Sequence, residues 1–480
     1  MTAPSTSPDP SVHDAPYDLV GIGIGPFNLS LAALADSVPG FRSLFLDAKP
    51  AFSWHPGLLM EGTTLQVPFL ADLVTMADPT SPWSYLNYLR HHERMFKFFF
   101  SERFHIPRRE YDHYCRWVAE RLPSCHFDAH VTALEWDEAA EAFAVVHRSA
   151  AGEQTRVLAR QVVLGVGTDP VVPEPLRPLL TETHAGRVLH SADYRTHRAR
   201  LGAASDVTVI GAGQSGAEVA LDLLRHQDGD GEGGPYVRWL ARTTAFAPME
   251  YSKIGLEHFT PDYIRYFRAL PEATRERLIE EQWQLYKGVS EETLGEIHDE
   301  LYERTIGGGE PRAALHPGVE IVSAEPDGAD GYVLTCRHGQ EESLFEFRTS
   351  AIVSATGYAA RRPDFLDTLD GLVDWDGKGR YQVDGDYRVA LDPRVSGALY
   401  VQNAEMHTHG VSAPDLTLGA WRAAAILNAA AGRTVLPVAP RQAFTTFGAP
   451  QDAASVPERT VAAAAAPAAT AVSGPAEIRR

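Results

Sequence analysis

Two apolar runs, near Tyr17 and near Val207, each break into a glycine turn and resume as an apolar helix, which predicts an α/β fold. The expected architecture is two Rossmann-like dinucleotide-binding domains plus a small helical module. Length agrees, since 480 residues suit two or three domains of roughly 100–200 residues each. Hydrophobic residues make up 44% and charged residues 22%, so a large core can form and bulk disorder is excluded.

Composition narrows the function classes. With 43 Lys+Arg against 63 Asp+Glu the formal charge is −20, which argues against general binding to nucleic acid or to an anionic membrane. The three cysteines, Cys115, Cys125 and Cys336, form no CxxC, so a disulfide framework, a thiolate zinc site and a dithiol redox pair lose support, and no metal is expected. No stretch approaches the ~18–20 apolar residues of a membrane span. Met1–Pro16 lacks the basic start and apolar core of a signal peptide, so a cytoplasmic protein is expected. The Ala/Pro/Thr-rich end from Pro440 reads as a disordered tail.

The first unit runs from Tyr17 to Asn28. Its apolar run reaches Gly21, the turn carries Gly23 and Gly25, and Leu29–Leu34 reads as a buried helix. Glycines permit a tight turn and close approach of backbone to a pyrophosphate at a helix N-terminus. Pro26 replaces the usual third glycine, and proline is tolerated in the first helical turn. The next strand, Ser43–Leu46, ends in Asp47, placed to bind a ribose hydroxyl pair.

The second unit, Val207–Glu218, holds Gly211, Gly213 and Gly216 at the full GxGxxG spacing, with Gln214 and Ser215 inside it. Its following strand, Tyr236–Ala241, ends in Arg242 rather than an acid. A cation there suits the 2′-phosphate of NADPH. Two such units imply FAD at the first and NADPH at the second. Ala351–Tyr358, with Thr356, Gly357 and Tyr358 at its end, reads as a further buried strand closing on a glycine, which returns the chain toward the first domain. A helix from Leu416 to Leu427 is expected to pack in that domain.

Between the units, Gly186, His190 and Tyr194 fit the GxxxHxxxY part of a flavin monooxygenase signature, with His184 where a Phe is usual. Further segments are Phe52-Ser-Trp-His-Pro-Gly57, Leu65–Leu73, Asp78–Tyr88, Ala355–Tyr358, and Thr408-His-Gly410 with Pro414. With both glycine turns, they make the chain resemble the siderophore-biosynthesis N-hydroxylating monooxygenases of the lysine/ornithine N-monooxygenase family, in order from Tyr17 to Arg433. The lysine-type branch is the nearer.

That resemblance implies FAD reduction by NADPH, oxygen transfer from a C4a-hydroperoxyflavin to a primary amine, and a homo-oligomer, commonly a tetramer. It places Trp54, His55 and Gln66 near the isoalloxazine and Gln214 between flavin and nicotinamide. Core packing also explains Trp54, and a surface turn also explains His55. The cofactor carries the hard chemistry, so no side-chain nucleophile is needed. A reductase or oxidase acting without an amine, and a non-catalytic NADP(H)-binding protein, are the more distant alternatives.

Two positions depart from amino-acid-hydroxylating relatives. Ala71 stands where a carboxylate-pairing Lys is usual, and Leu256 stands where an Asn is usual. Apolar residues there disfavour a zwitterion. A diamine such as cadaverine or putrescine is therefore expected, with L-lysine the alternative if Lys253 or Arg90 replaces the missing cation. Met60, Leu65 and Leu70 are candidate pocket residues. The acids Glu257, Asp262, Glu291, Glu292, Glu296, Asp299 and Glu300 crowd the region where a distal ammonium could bind. The expected boundaries are 14–200 and 359–440 for the FAD domain, 201–253 and 309–358 for the NADPH domain, 254–308 for the helical module, and tails at 1–13 and 441–480.

Overall fold

The computed structural model describes residues 15–227, 233–328, 331–439 and 441–450. The expected tail 1–13, residues 451–480 and most of the glycine-rich loop at 228–234 lie outside the described residues.

The first sheet has five parallel strands in the order Ala398–Val401, Gln161–Leu164, Leu19–Ile22, Ser43–Leu46 and Cys125–His126. Leu19–Ile22 is buried at every position, as a central parallel strand covered on both faces must be. The helix Pro26–Ala35 follows its glycine turn with proline at its start. The helix Gly419–Ala431 packs on it, so the expected last helix begins three residues later than Leu416. An antiparallel meander, His130–Asp137, Ala142–Arg148 and Gln154–Ala159, completes this unit.

The second sheet is also parallel, in the order Ala313–Pro317, Tyr236–Ala241, Asp206–Ile210, Ala351–Ser354 and Val188–His190. A second meander, Val319–Asp327, Gly331–His338 and Leu344–Thr349, packs beside it. Val188–His190 belongs to this sheet, so the chain enters the second unit well before the expected residue 201. The two crossings run side by side: Thr168–Pro170 pairs antiparallel with Tyr358–Ala360. Nothing in local periodicity marks that switch, because a three-residue edge strand pairs with either sheet equally well.

The helical stretch also divides. Gly255–Phe259, Pro261–Ala269 and Glu272–Glu281 share an apolar cluster with Val411 and Phe447, whereas Glu291–Glu303 packs on the helix Gln214–Arg225. Residues 441–450, assigned by composition to a tail, lie along the first group. Asp262 accepts the Gln442 amide at 2.8 Å, Glu257 accepts the Thr445 amide at 2.7 Å, and the Phe447 ring lies 5.0 Å from Tyr263.

One buried ion pair ties the C-terminal segment together. Arg422 donates to Glu405 at 2.8 Å, with the two side chains 1% and 0% exposed. Its other nitrogen donates to the carbonyls of Ser412 and Ala413, and its guanidinium stacks 4.4 Å from the Phe27 ring. Arg422→Ala leaves Glu405 buried without its cation, so a stability loss of about 3–5 kcal/mol is expected in urea denaturation. A loss below about 1 kcal/mol would show that water or a neighbour takes the place of the guanidinium.

Candidate active site between the two glycine turns

Two glycines of the first turn have a steric reason. A Cβ on Gly21 would strike the Phe45 ring, and one on Gly23 (φ +87°) would lie 2.4 Å from the Gly165 carbonyl. Gly25 differs: a Cβ there meets nothing within 4 Å, at the N-cap of the helix Pro26–Ala35. That open cradle, with helix amides facing it, fits a pyrophosphate.

Two expected ligands brace this turn. Asn28 is fully buried; its amide donates to the Gly23 carbonyl at 2.8 Å and its oxygen accepts from Gln402 at 2.7 Å. It shapes the turn and offers no free atom to a ligand. Asp47 accepts the Ile24 amide at 2.7 Å and the Lys49 amide at 2.8 Å, with the Lys49 ammonium 3.7 Å away. Its carboxylate therefore stiffens the cradle edge while keeping further lone pairs.

Trp54 and His55 project beside the cradle. The Trp54 amide donates to Asp112 at 2.9 Å, and its ring meets those of Tyr111 and His55 edge-on. His55 sits in the left-handed region (φ 45°) and faces Tyr358 at 5.7 Å. Solvent reaches His55, yet protein crowds it on most sides. A side chain both reachable and crowded lines a deep cleft. Desolvation, with Arg108 and Lys49 acting the same way, lowers its pKa to about 4, so it is neutral at pH 7. Gln66 Nε2 is buried without a hydrogen-bond partner, a donor aimed where a ligand would satisfy it.

In the second turn, Gly211 (φ +133°) packs against the Ala355 carbonyl, and Gly216 lies so close to the Gly211 carbonyl that only hydrogen fits. Gly213 caps the helix Gln214–Arg225, with the Lys287 carbonyl 3.3 Å from a would-be Cβ. Gln214 is already engaged: its amide donates to Glu218 at 2.8 Å and to Thr293 at 3.0 Å, and its oxygen accepts the Ser290 amide at 2.8 Å. It fastens the turn to the helix Glu291–Glu303. Ser215 is half-buried in the first helical turn, and Arg242 is exposed at the end of its strand without an ion pair among the described residues. Thr356 donates to the Val171 carbonyl, and Gly357 (φ +86°) opens the chain toward Tyr358, whose ring meets His190 at 5.1 Å.

The linker signature closes the cleft. A Cβ on Gly57 would lie 1.7 Å from the Ala192 carbonyl, so only glycine lets the two loops meet. Ala71 is buried and Leu256 is exposed; neither brings charge. Met60 belongs to the second unit's core and Leu65 to the first's, while Leu70 stands exposed.

Sequence reasoning missed the pieces that join the units. Arg108 donates to Glu218 at 2.7 Å, with both side chains nearly buried, and so links the helix Arg108–Ala119 to the second glycine turn. Tyr251 donates to the Gln66 carbonyl at 2.8 Å. Burial raises the Tyr251 phenol pKa, and the Asp415 charge adds to the rise. None of these carries a local spacing signal.

Comparison with known proteins agrees with this arrangement. A family model for L-lysine 6-monooxygenase/L-ornithine 5-monooxygenase matches residues 15–360. The rhizobactin siderophore biosynthesis protein RhbE of Rhizobium meliloti is 44% identical over 445 residues, covering 90% of this chain and 95% of that protein. A putrescine N-hydroxylase of Shewanella oneidensis is 40% identical over 447 residues, covering 92% and 86%. The FAD-bound cadaverine monooxygenase DfoA of Erwinia amylovora superposes with a TM-score of 0.87 at 36% identity, covering 92% of this chain and 100% of that one.

Gly25→Val fills open space with an extended backbone that any residue adopts, so the fold should survive while FAD retention, read from visible flavin absorbance, falls roughly tenfold or more. Full flavin loading in that variant would reject Gly25 as the cradle.

Proposed function

The chain belongs to the L-lysine 6-monooxygenase/L-ornithine 5-monooxygenase family, and from that premise we propose that it hydroxylates one terminal nitrogen of an aliphatic diamine, cadaverine or putrescine, for hydroxamate siderophore biosynthesis. It is an FAD- and NADPH-dependent N-monooxygenase. FAD, reduced by NADPH, supplies the oxygen atom from O2. The first cradle, Gly21, Gly23, Gly25 and Pro26 with Asp47 at its edge, would hold FAD. The second, Gly211, Gly213, Ser215 and Gly216 with Arg242, would hold NADPH, and Thr356–Tyr358 would border both.

The chain's own residues prepare the amine. A free alkylammonium has a pKa of roughly 10.4, and only the neutral amine is nucleophilic. Crowding by Trp54, His55 and Tyr358 desolvates the cleft and favours that neutral form. Neutral His55 adds no competing proton charge. Gln66 Nε2 is left free to donate to the cofactor or to the hydroxylated nitrogen. The Arg108–Glu218 pair, braced by Gln214, holds the second turn against the first unit, which keeps water from the reacting atoms.

The observation that carries the diamine reading is the state of the cleft's cations. Arg108 and Lys49, the two that act on His55, are paired with Glu218 and Asp47, and positions 71 and 256 are apolar. A substrate carboxylate would find no free partner there. Arg90 lines a separate surface hollow with Pro79 and Met95, which leaves exposed Lys253 as the replacement that the lysine alternative requires.

With FAD, NADPH and O2, hydroxylamine product measured by mass spectrometry from cadaverine or putrescine should exceed that from L-lysine or L-ornithine by roughly tenfold or more, about 1.4 kcal/mol of discrimination. Product mainly from L-lysine would sink the diamine reading and point to Lys253.

We also propose a cytoplasmic homo-oligomer, a tetramer. No described helix is long and apolar enough to cross a membrane. Phe96, Phe99 and Phe100 stand more than 70% exposed on the helix Met95–Ser101, and a patch of rings this open supports association. The double variant Phe96→Glu, Phe100→Glu should elute as a smaller species in size exclusion with light scattering; an unchanged mass rejects this face as the interface.

A further inference from the structure

We propose that Glu257 is a positioning residue for the hydroxylation: gripped by the amides of Phe444 and Thr445, it holds the segment Tyr251–Phe259 so that Tyr251 fixes Gln66 at the reacting end of the cleft. The assignment rests on the placement of Gln66 proposed above, and not on which amine is the substrate.

The segment that grips Glu257 acts as a strap. Four successive amides go to two carboxylates. Gln442 and Ala443 donate to Asp262 Oδ2 at 2.8 and 3.3 Å, and Phe444 and Thr445 donate to Glu257 Oε1 and Oε2 at 3.0 and 2.7 Å. Backbone amides outside a helix or ladder need acceptors, and a carboxylate makes the stronger, charge-assisted bond. Phe447 then sets its ring against His258, Tyr263 and Tyr266, with centroids 5.5, 5.0 and 6.1 Å apart. A Cβ on Gly448 (φ +89°) would lie 3.3 Å from the Tyr266 ring. Nearer the last helix, Asn428 accepts the amides of Val435 and Leu436 at 2.7 and 2.9 Å. The C-terminal segment is thus fastened to the first unit before it grips the helical group.

The grip passes along the chain to the cleft. Glu257 lies in the turn Gly255–Phe259, whose Gly255 and Leu256 amides donate to the Ser252 hydroxyl and carbonyl at 3.1 and 2.9 Å. The Ser252 amide is itself held by Glu250 at 2.6 Å. The adjacent Tyr251 donates to the Gln66 carbonyl at 2.8 Å. From the other side, the Leu65 amide donates to the Ile106 carbonyl at 2.8 Å. Gln66 is therefore held from two directions, which leaves its buried, unpartnered Nε2 fixed in aim. Without the Glu257 carboxylate the strap loses two of its four amide bonds, and the wall from Ser252 to Gln66 loosens. A loose wall misplaces the amine and lets water reach the reacting atoms.

The test measures hydroxylamine and H2O2 formed per NADPH consumed, in flavin-loaded protein, with whichever of cadaverine, putrescine and L-lysine the wild type hydroxylates best. Coupled turnover takes NADPH, H+, O2 and amine to NADP+, hydroxylamine and water. Uncoupled turnover takes NADPH, H+ and O2 to NADP+ and H2O2. In Glu257→Ala, hydroxylamine per NADPH should fall roughly 3- to 10-fold with H2O2 rising to match, part of the ~100-fold that a 1 Å displacement costs. Flavin reduction by NADPH should stay near the wild-type rate, since Gln214 fastens the second turn separately to Ser290 and Thr293. Glu257→Gln, which keeps an acceptor oxygen, should fall between. Tyr251→Phe should lower coupling like Glu257→Ala, and the double variant should be no worse than the worse single one, because both cut the same chain of contacts. If Glu257→Ala fails to load flavin, Phe447→Ala, which frees the strap from the rings, replaces it with the same expected outcomes. Wild-type coupling in the flavin-loaded variant, or losses that multiply in the double variant, overturns the assignment. Wild-type coupling in Gln66→Leu overturns the placement of Gln66 instead.

Discussion

The pairing of Arg422 with Glu405 organises more of the site than any other single contact. Both ends are buried, so neither can turn to water, and every remaining guanidinium bond falls on the Ser412–Ala413 loop or on a ring. Phe27, at the mouth of the first glycine turn, lies under that guanidinium. The last helix, the flavin cradle and the loop that carries Asp415 are thereby held in one geometry. Such a pair adds little net stability over apolar packing, but breaking it leaves an uncompensated charge. Its structural worth lies in specifying one arrangement of three distant segments.

A second constraint joins the two units. Their sheets are separate, and the chain crosses between them twice, at Thr168–Pro170 and Tyr358–Ala360. Left to those crossings alone, a hinge motion would be the default expectation. Arg108–Glu218 and the contact of Gly57 with Ala192 oppose it. These contacts are polar or steric rather than broadly apolar. They can therefore open and reclose at lower cost than a core could, which suits a site that must admit a dinucleotide and then exclude water.

Much of the site was legible along the chain. Gly23 and Gly211 need positive φ, Gly21, Gly57 and Gly216 need absent side chains, and Pro26 starts a helix. The positive φ angles, the contact of Gly216 with Gly211 and the proline start are local backbone demands, which leave marks at fixed spacing, whereas Gly21 and Gly57 make room for Phe45 and Ala192, distant in sequence. Asn28 and Gln214 were legible only as members of those turns. Their side chains bond to Gln402 and to Ser290 and Thr293, partners distant in sequence, so what the amides do was invisible until the chain was folded.

The sequence alone determined the two dinucleotide turns, the strands and helices around them, the family, and the loss of a cation at Ala71. All of these follow from residue type at short spacing. Tertiary structure decided where the chain changes unit, that the helical stretch splits in two, that residues 441–450 lie along Pro261–Ala269, and that Arg108 pairs with Glu218. The reason is physical: whether a charge is paired depends on which segments meet in space, and electrostatic partners separated by tens or hundreds of residues impose no periodicity on the sequence between them.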